Sequence, residues 1–446
     1  MSIPSAVEPL LLQFSLGFTD PTFQRFSVLM LSAILTTGRR TISNLLRTAP
    51  ASAPGHASSY HRVFSWRRWS LWPLGHVLAS TILHYLVPEG PVYLAVDDTV
   101  DEHRGKQVYG KACHRDAVRS THSYTAYRWG HKWVVLAILV QFPFASRPWA
   151  LPVLVALYHS QEWNKQHHRQ HKTPPEIARQ LLAVLMHWFP ERQFILAGDG
   201  GFSTHDLARF AQGHPQRAVL VGRFPPDANL YAPPPQHRGK GRPRKKGRKL
   251  PSPEVVVART KERVRLTVRW YGGRSRRVET VTGTGHWYKA GKGLLEVRWV
   301  WVHDLSGTHR DEYFFSTDTS MTPKEIIETY TGRWSIEVTF EEMRAHLGLE
   351  TTRGRSRETV LRMVPCLFGL YSVTALLYAW LPGKEQQAAT IEWVGKNTVT
   401  FSDALTCVRR WLWREWVFET GGHAAAFAKL PADFRDLLCY TLAPAA

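Results

Sequence analysis

The chain has 446 residues, enough for about three domains at roughly 150 residues each. Hydrophobic residues make up 44% and aromatic residues 12%, which excludes a wholly disordered chain. Lys and Arg number 57 against 36 Asp and Glu, and a net charge of +21 calls for a polyanionic partner, either nucleic acid or an anionic membrane surface.

In chain order, residues 1–88 read as mostly helical and basic. Apolar residues recur at helical spacing from Thr22 to Thr37, and Gly38-Arg39-Arg40 supplies a stop. Further helices are expected from Thr41 and from Pro73 to Leu86, with Arg67 and Arg68 in the basic stretch between them. Basic residues beside short helices suit a DNA-binding module of helix-turn-helix type, and Arg39, Arg40, Arg67 and Arg68 are its candidate contacts. The alternative is a helical cap whose charges are simply solvated.

Over 89–224 the pattern changes. Strands are expected at Pro91–Val100, Arg128–Phe142, Trp149–His159, Gln193–Asp199 and Ala218–Phe224, with helices from Pro174 to Trp188 and after Ser203. That order describes a mixed sheet with helices on its faces. Residues 225–320 read as a β-rich insertion, with strand-like runs at 254–260, 263–271, 276–282, 295–303 and 312–317. Helices return over 321–383, which holds a third acid, and over the C-terminal 384–446. Val364 to Pro382 is apolar enough to raise the question of a membrane span, but Pro365, Ser372 and Thr374 favour a buried core helix. No membrane partner is expected.

Cys113, Cys366, Cys407 and Cys439 form neither a C-x-x-C zinc site nor a disulfide framework. The opening Met-Ser-Ile-Pro-Ser-Ala-Val-Glu lacks the basic region of a signal peptide, so a cytoplasmic, DNA-associated location is expected.

Three stretches carry chemistry. In Val96-Asp97-Asp98-Thr99, side chains alternate, so Asp97 and Asp98 take opposite faces of a strand. An acid there needs a positive partner, and a metal ion would serve; a turn-forming Asp pair is the alternative. In Leu196-Ala197-Gly198-Asp199-Gly200-Gly201 a single acid closes an apolar strand, where open α/β sheets place their sites. In Tyr330 to Arg344, at about 100° per residue, Tyr330, Arg333, Glu337 and Arg344 fall within an arc of about 60°. Arginine forks suit phosphate and the carboxylate suits a hard cation. Ordinary Arg333–Glu337 pairing on an exposed helix is the alternative.

Together these residues resemble the DDE transposases of bacterial insertion sequences, in the branch marked by Tyr-x2-Arg-x3-Glu-x6-Lys. Here that signature falls on Tyr330, Arg333 and Glu337, with Arg344 at the Lys position. Asp98 precedes a Thr as the family's first acid does, and Asp199 matches the second. The resemblance covers roughly 90–380. It implies an RNase H-like core and a catalytic triad of Asp98, Asp199 and Glu337 holding two Mg²⁺ or Mn²⁺ ions. It also implies cleavage at transposon ends, transfer of the exposed 3′-OH into target DNA, and a homodimer pairing two terminal inverted repeats. Tyr330, Arg333 and Arg344 would then hold phosphates. A base-flipping aromatic of the insertion is assigned to Tyr313, with Trp287, Trp299 and Trp301 as alternatives. Asp97, Asp101, Glu341 and Glu342 are reserve acids.

His237 to Lys249 is a separate DNA signal: eight of its 13 residues are basic, namely Arg238, Lys240, Arg242, Arg244, Lys245, Lys246, Arg248 and Lys249. Lys240 to Arg244 resembles the core of a minor-groove AT-hook; a non-specific phosphate clamp is the other reading. His103, His114 and His122 read as polar or phosphate-facing loop residues. A catalytically inactive DNA-binding regulator and a structure-selective nuclease on the same fold are the competing functions.

Overall fold

The computed structural model of the protein describes residues 7–444 apart from 117–118, 237–242, 389–395, 397 and 420–423. The chain opens with α1 (Glu8–Gln13), α2 (Asp20–Leu35), α3 (Ile42–Thr48), α4 (Ala57–Ser65) and α5 (Leu71–Leu86). Thr41 follows the stop signal and caps α3, its hydroxyl accepting from the Asn44 amide at 3.3 Å. Helix α4 occupies the first part of the basic, aromatic stretch between the expected helices, ending before Arg67 and Arg68. Its Tyr60, Val63 and Phe64 are buried, a helical spacing hidden by the surrounding Arg and Trp residues.

The sheet follows as β1 (Val92–Glu102), β2 (Ala112–Arg115), β3 (Tyr127–Val140) and β4 (Trp149–Tyr158). Next come α6 (Gln161–Gln166), α7 (Pro174–Trp188), β5 (Phe194–Gly198), α8 (His205–Gln212) and β6 (Ala218–Arg223). Five of these strands lie in the order β4-β3-β1-β5-β6. The β4–β3 and β3–β1 pairs are antiparallel, and β1–β5 and β5–β6 are parallel. This is an RNase H-like mixed sheet.

The region from 225 to 320 does not stand apart from it. It contributes β7 (Leu230–Tyr231), α9 (Pro253–Arg259), β8 (Val264–Arg269), β9 (Ser275–Lys289), β10 (Gly293–Asp304) and β11 (Glu312–Ser316). Strand β11 pairs antiparallel with β6, so the insertion widens the core sheet to eleven strands. The expected strand at 254–260 is instead α9: the Val-rich run follows Ser252-Pro253-Glu254, a helix-opening sequence that outweighs its β-branched residues.

Helices α10 (Pro323–Gly332), α11 (Ser335–His346) and α12 (Arg357–Trp380) complete the core, followed by α13 (Gly383–Ala388), α14 (Phe401–Leu412), α15 (Ala424–Ala428) and α16 (Ala432–Leu442). Alternation separates the two faces of the parallel strands. Ile195, Val219 and Val221 pack with Ile326, Ile327 and Tyr330 of α10. Leu196 and Leu220 point the other way and join a core shared with Leu207 and Ala208 of α8. Helix α12 is long and apolar enough to cross a membrane, yet 72% of its most apolar window is buried, against β4, α4, α5 and α14. Its Ser372 hydroxyl donates to the Pro152 carbonyl at 2.8 Å, satisfying a polar group inside that core.

Candidate active site

The parallel register of β1 and β5 pairs Val96 with Gly198, so one step further along Asp97 and Asp199 stand at the same level. Burial pushes the Asp97 carboxyl up to about 7, with the neighbouring Asp199 and Asp98 charges adding to the rise and Arg333 opposing it. Asp199 is oriented by its own turn: its Oδ1 accepts from the amides of Gly201 at 2.9 Å and Phe202 at 3.1 Å.

The two adjacent aspartates separate as alternation requires. Asp97 receives Arg333 Nη1 at 2.9 Å on the α10–α11 face. Asp98, expected in the triad, turns to the opposite face, where Lys132 Nζ donates to its Oδ1 at 2.9 Å. Burial raises the Asp98 carboxyl too, Lys132 lowers it, and Asp199 raises it. Both acids therefore sense Asp199, but Asp97 is the one bridged to Glu337. That bridge is Arg333, whose Nη2 donates to Glu337 Oε1 at 2.8 Å.

Arg333 sits at a break. Successive i→i−3 amide bonds from Arg333, Trp334, Ile336 and Glu337 tighten the chain between α10 and α11. The expected single helical stripe is thus divided, and Tyr330 rotates inward. It is 1% exposed and stacks on Phe314 at 4.2 Å. The direct phosphate contact expected of Tyr330 is not available from this position. Arg333, 6% exposed, faces carboxylates rather than solvent. Burial opposes its charge, but Asp97, Tyr330 and Glu337 hold the guanidinium above its ordinary value. Arg344 bonds Thr99 Oγ1 and meets Glu350 Oε1 at 3.1 Å, tying α11 to the end of β1.

Sequence reasoning missed two cations here. Lys132 was hidden in an apolar run. Arg223 ends β6 beside β5 and bonds Glu312, whose other oxygen accepts from Tyr271 Oη at 3.0 Å. Its place at the carboxyl end of a strand adjoining that of Asp199 was the available signal.

Other expectations shift. Arg40 is 3% exposed and bonds the carbonyls of Gly38 and His346, while burial and Arg409 lower it to about 9; it is not a surface contact. Arg39, Arg67 and Arg68 are exposed. Trp287, Trp299 and Trp301 are core residues, and Tyr313 is half-buried against that core. Arg238, Lys240 and Arg242 lie outside the described residues. Arg244, Lys245, Lys246, Arg248 and Lys249 are exposed. Their segment is anchored: Lys246 Nζ lies over the rings of Tyr231 at 4.5 Å and Tyr288 at 4.4 Å, and Tyr231 bridges to Lys249. His103, in the loop just after β1, and His114, in β2, are buried and do not face phosphate, whereas His122 is exposed.

The donor set of Asp97, Asp199 and Glu337 is all oxygen. A cluster of acids whose buried member is pushed towards its neutral form fits a hard divalent cation. Residues 13–277, which include Asp97, Asp98 and Asp199, match the family model described as DDE superfamily endonuclease. Residues 294–363, which include Glu337, match that of the archaeal putative transposase ISC1217. No curated protein matches the sequence. Among solved structures, the cryo-EM structure of the piggyBac transposase synaptic complex with hairpin DNA is similar at 9% identity and a TM-score of 0.40, over 98% of this chain and 82% of that chain.

Proposed function

The chain belongs to the DDE superfamily endonucleases, and from that membership we propose that it is a cut-and-paste DNA transposase of the branch with the Tyr-Arg-Glu-Lys signature. The observation that carries this reading is the Arg333 bridge, which joins a β1 acid to a helix acid beside Asp199. We assign the metal-holding set to Asp97, Asp199 and Glu337. Asp97 takes the place first given to Asp98 because it shares the face of Arg333; Asp98, paired with Lys132, remains the second candidate for that position.

Bound Mg²⁺ or Mn²⁺, two ions in this reading, supplies Lewis acidity at the phosphodiester. The protein's own groups do the rest. The Gly201 and Phe202 amides fix the rotamer of Asp199, and Arg333 holds Asp97 and Glu337 in mutual reach. Arg344 braces the end of β1 and, partly exposed, is the member of the signature best placed to meet a phosphate. In cleavage, a water oxygen bonds to phosphorus as the P–O3′ bond breaks, leaving a 3′-OH. In joining, that hydroxyl oxygen bonds to a target phosphorus and the target's 3′ oxygen leaves. The +21 charge suits two DNA partners, the terminal inverted repeats and the target, and a homodimer would pair the two ends.

The test is labelled DNA carrying the ends that flank the gene, mixed with protein and Mg²⁺. A unique end cut, joining to a plasmid, and loss of both in Glu337→Gln with DNA binding retained are expected. Asp97→Asn should match Glu337→Gln, while Asp98→Asn should retain cleavage. The reverse outcome would return Asp98 to the set. Cutting of branched DNA without joining would make the protein a nuclease, and binding without cutting a regulator.

A further inference from the structure

Beyond Asp97, the β1 acid that faces α11, the same strand ends in a second polar cluster that the transposase reading does not use. Asp101 and His131 are direct cross-strand partners in the β1–β3 register. The His103 amide extends that pairing by donating to the Trp129 carbonyl at 2.9 Å. Two positions along a strand return to the same face, so Asp101, His103 and His131 converge. Gly130 permits the close approach, since a Cβ there would stand 2.0 Å from the Asp101 carbonyl oxygen.

Asp101 and His131 are 0% exposed and His103 is 7% exposed. One ligand atom from each of the three lies within 4.8 Å of the other two. The hydrogen bonding is incomplete in an informative way. His131 Nε2 lies 2.8 Å from the Tyr109 carbonyl oxygen. A carbonyl can only accept, so Nε2 carries the proton and Nδ1 the lone pair. Among the described residues that Nδ1 has no partner, and neither does Asp101 Oδ1. The remaining contact, His103 Nε2 to Asp101 Oδ2 at 3.2 Å, satisfies neither. Buried acceptors left open beside a carboxylate call for a cation. An imidazole whose far nitrogen donates to a backbone carbonyl is the arrangement that orients metal-ligating histidines.

We infer that Asp101, His103 and His131 form a site for one divalent cation of borderline softness, of the Zn²⁺ class, separate from the all-oxygen set at Asp97, Asp199 and Glu337. Two imidazoles and one carboxylate suit Zn²⁺ rather than Mg²⁺, which prefers oxygen and water. Tetrahedral bonds of about 2.0–2.1 Å require the donors to draw in to roughly 3.4 Å from one another. Small side-chain rotations supply that closure, and the fourth position is left to water. The ion would pin the end of β1 to β3, just beyond the Thr99 and Val100 contacts of Arg344. It would thereby hold the strand that carries Asp97 and Asp98.

The experiment uses the full chain carrying Asp199→Asn and Glu337→Gln, so that the oxygen site cannot report. After chelator treatment, ZnCl₂ is added and bound metal is counted by mass spectrometry, with thermal midpoint as a second readout. One equivalent of Zn²⁺ and a raised midpoint are expected, both lost in the same chain with His131→Ala or the milder His103→Gln. Co²⁺ in place of Zn²⁺ should give a visible absorption band that vanishes with the same changes. No bound equivalent in the parent chain, or a full equivalent in properly folded His103→Gln, would overturn the site and leave a buried water as the occupant. Neither result depends on whether the protein cuts DNA.

Discussion

Asp97 sets the protonation state on which the proposed chemistry depends. Its carboxyl, raised to about 7 chiefly by burial, keeps its proton in slightly acidic solution. A cation must displace that proton, so apparent Mg²⁺ affinity should fall about tenfold for each pH unit below 7 and level off above it. Mg²⁺ titrations of cleavage from pH 6 to 8.5 would measure this, and a flat dependence would remove Asp97 from the metal set. Arg333 is the second residue at this scale. Arg333→Lys keeps the charge but cannot span both carboxylates, so it should lower cleavage by about tenfold or more and cost about 1–3 kcal/mol of stability. Calorimetry and single-turnover cleavage on one preparation would separate the two effects. Alternation showed from the sequence that Asp97 and Asp98 take opposite faces. Which face α11 covers is a tertiary fact, and no local pattern around residue 97 carries it.

Among the elements, strands rich in Val, Ile and Leu were legible: β1, β3, β4, β5 and β6 lie within two residues of their expected ends, and α7 matches at both. Two departures have distinct causes. At α9, a proline at the helix start and Glu254 in its first turn outweighed valine propensity, and at α4 charge masked a buried helical face; the expected β-rich insertion joins the core sheet through the β6–β11 pair. The α10–α11 break was visible only as Gly332, which ends α10; the i→i−3 amide bonds that tighten the chain there leave no other local mark in the sequence. Helix α10 enters that break from a capping box, in which Thr322 and Glu325 satisfy each other's amides at 3.3 and 2.7 Å. Thr322→Ala should cost about 1 kcal/mol. The change would appear as a lower denaturant midpoint at unchanged slope, with cleavage intact at temperatures where the chain stays folded.

For the whole molecule, a net charge of +21 overstates the basic surface, because Arg40 and Arg409 are spent on buried carbonyls of His346 and Ile34. The exposed anchored run is a better guide, and Lys245→Gln with Arg248→Gln should shrink the slope of log affinity against log salt by about 1.8 if each meets one phosphate. Stability against pH is a second global property, and its sign follows from buried histidines. Burial lowers His114 to about 4, His131 to about 3 and His159 to about 4. All three titrate near 6.5 when the chain is unfolded, so the unfolded state binds more protons in the interval between. Their contribution is whole above about pH 6.5 and is lost progressively as the solution is acidified towards about 4. Asp97 acts in the opposite sense: its folded value exceeds the unfolded one, so between about 3.8 and about 7 it favours the folded state more strongly as pH falls. Burial raises Asp98 and Asp101 in the same sense as Asp97, and it lowers His205 as it does the other three histidines, so four imidazoles are set against three carboxyls and the expected net effect of acidification is destabilising. The thermal midpoint should therefore decline from pH 6.5 to 4.5. His114→Gln, which removes one protonation outside both proposed metal sets, should make that decline shallower. A midpoint that rises over this interval would mean that the carboxyls, not the imidazoles, govern the acid limb.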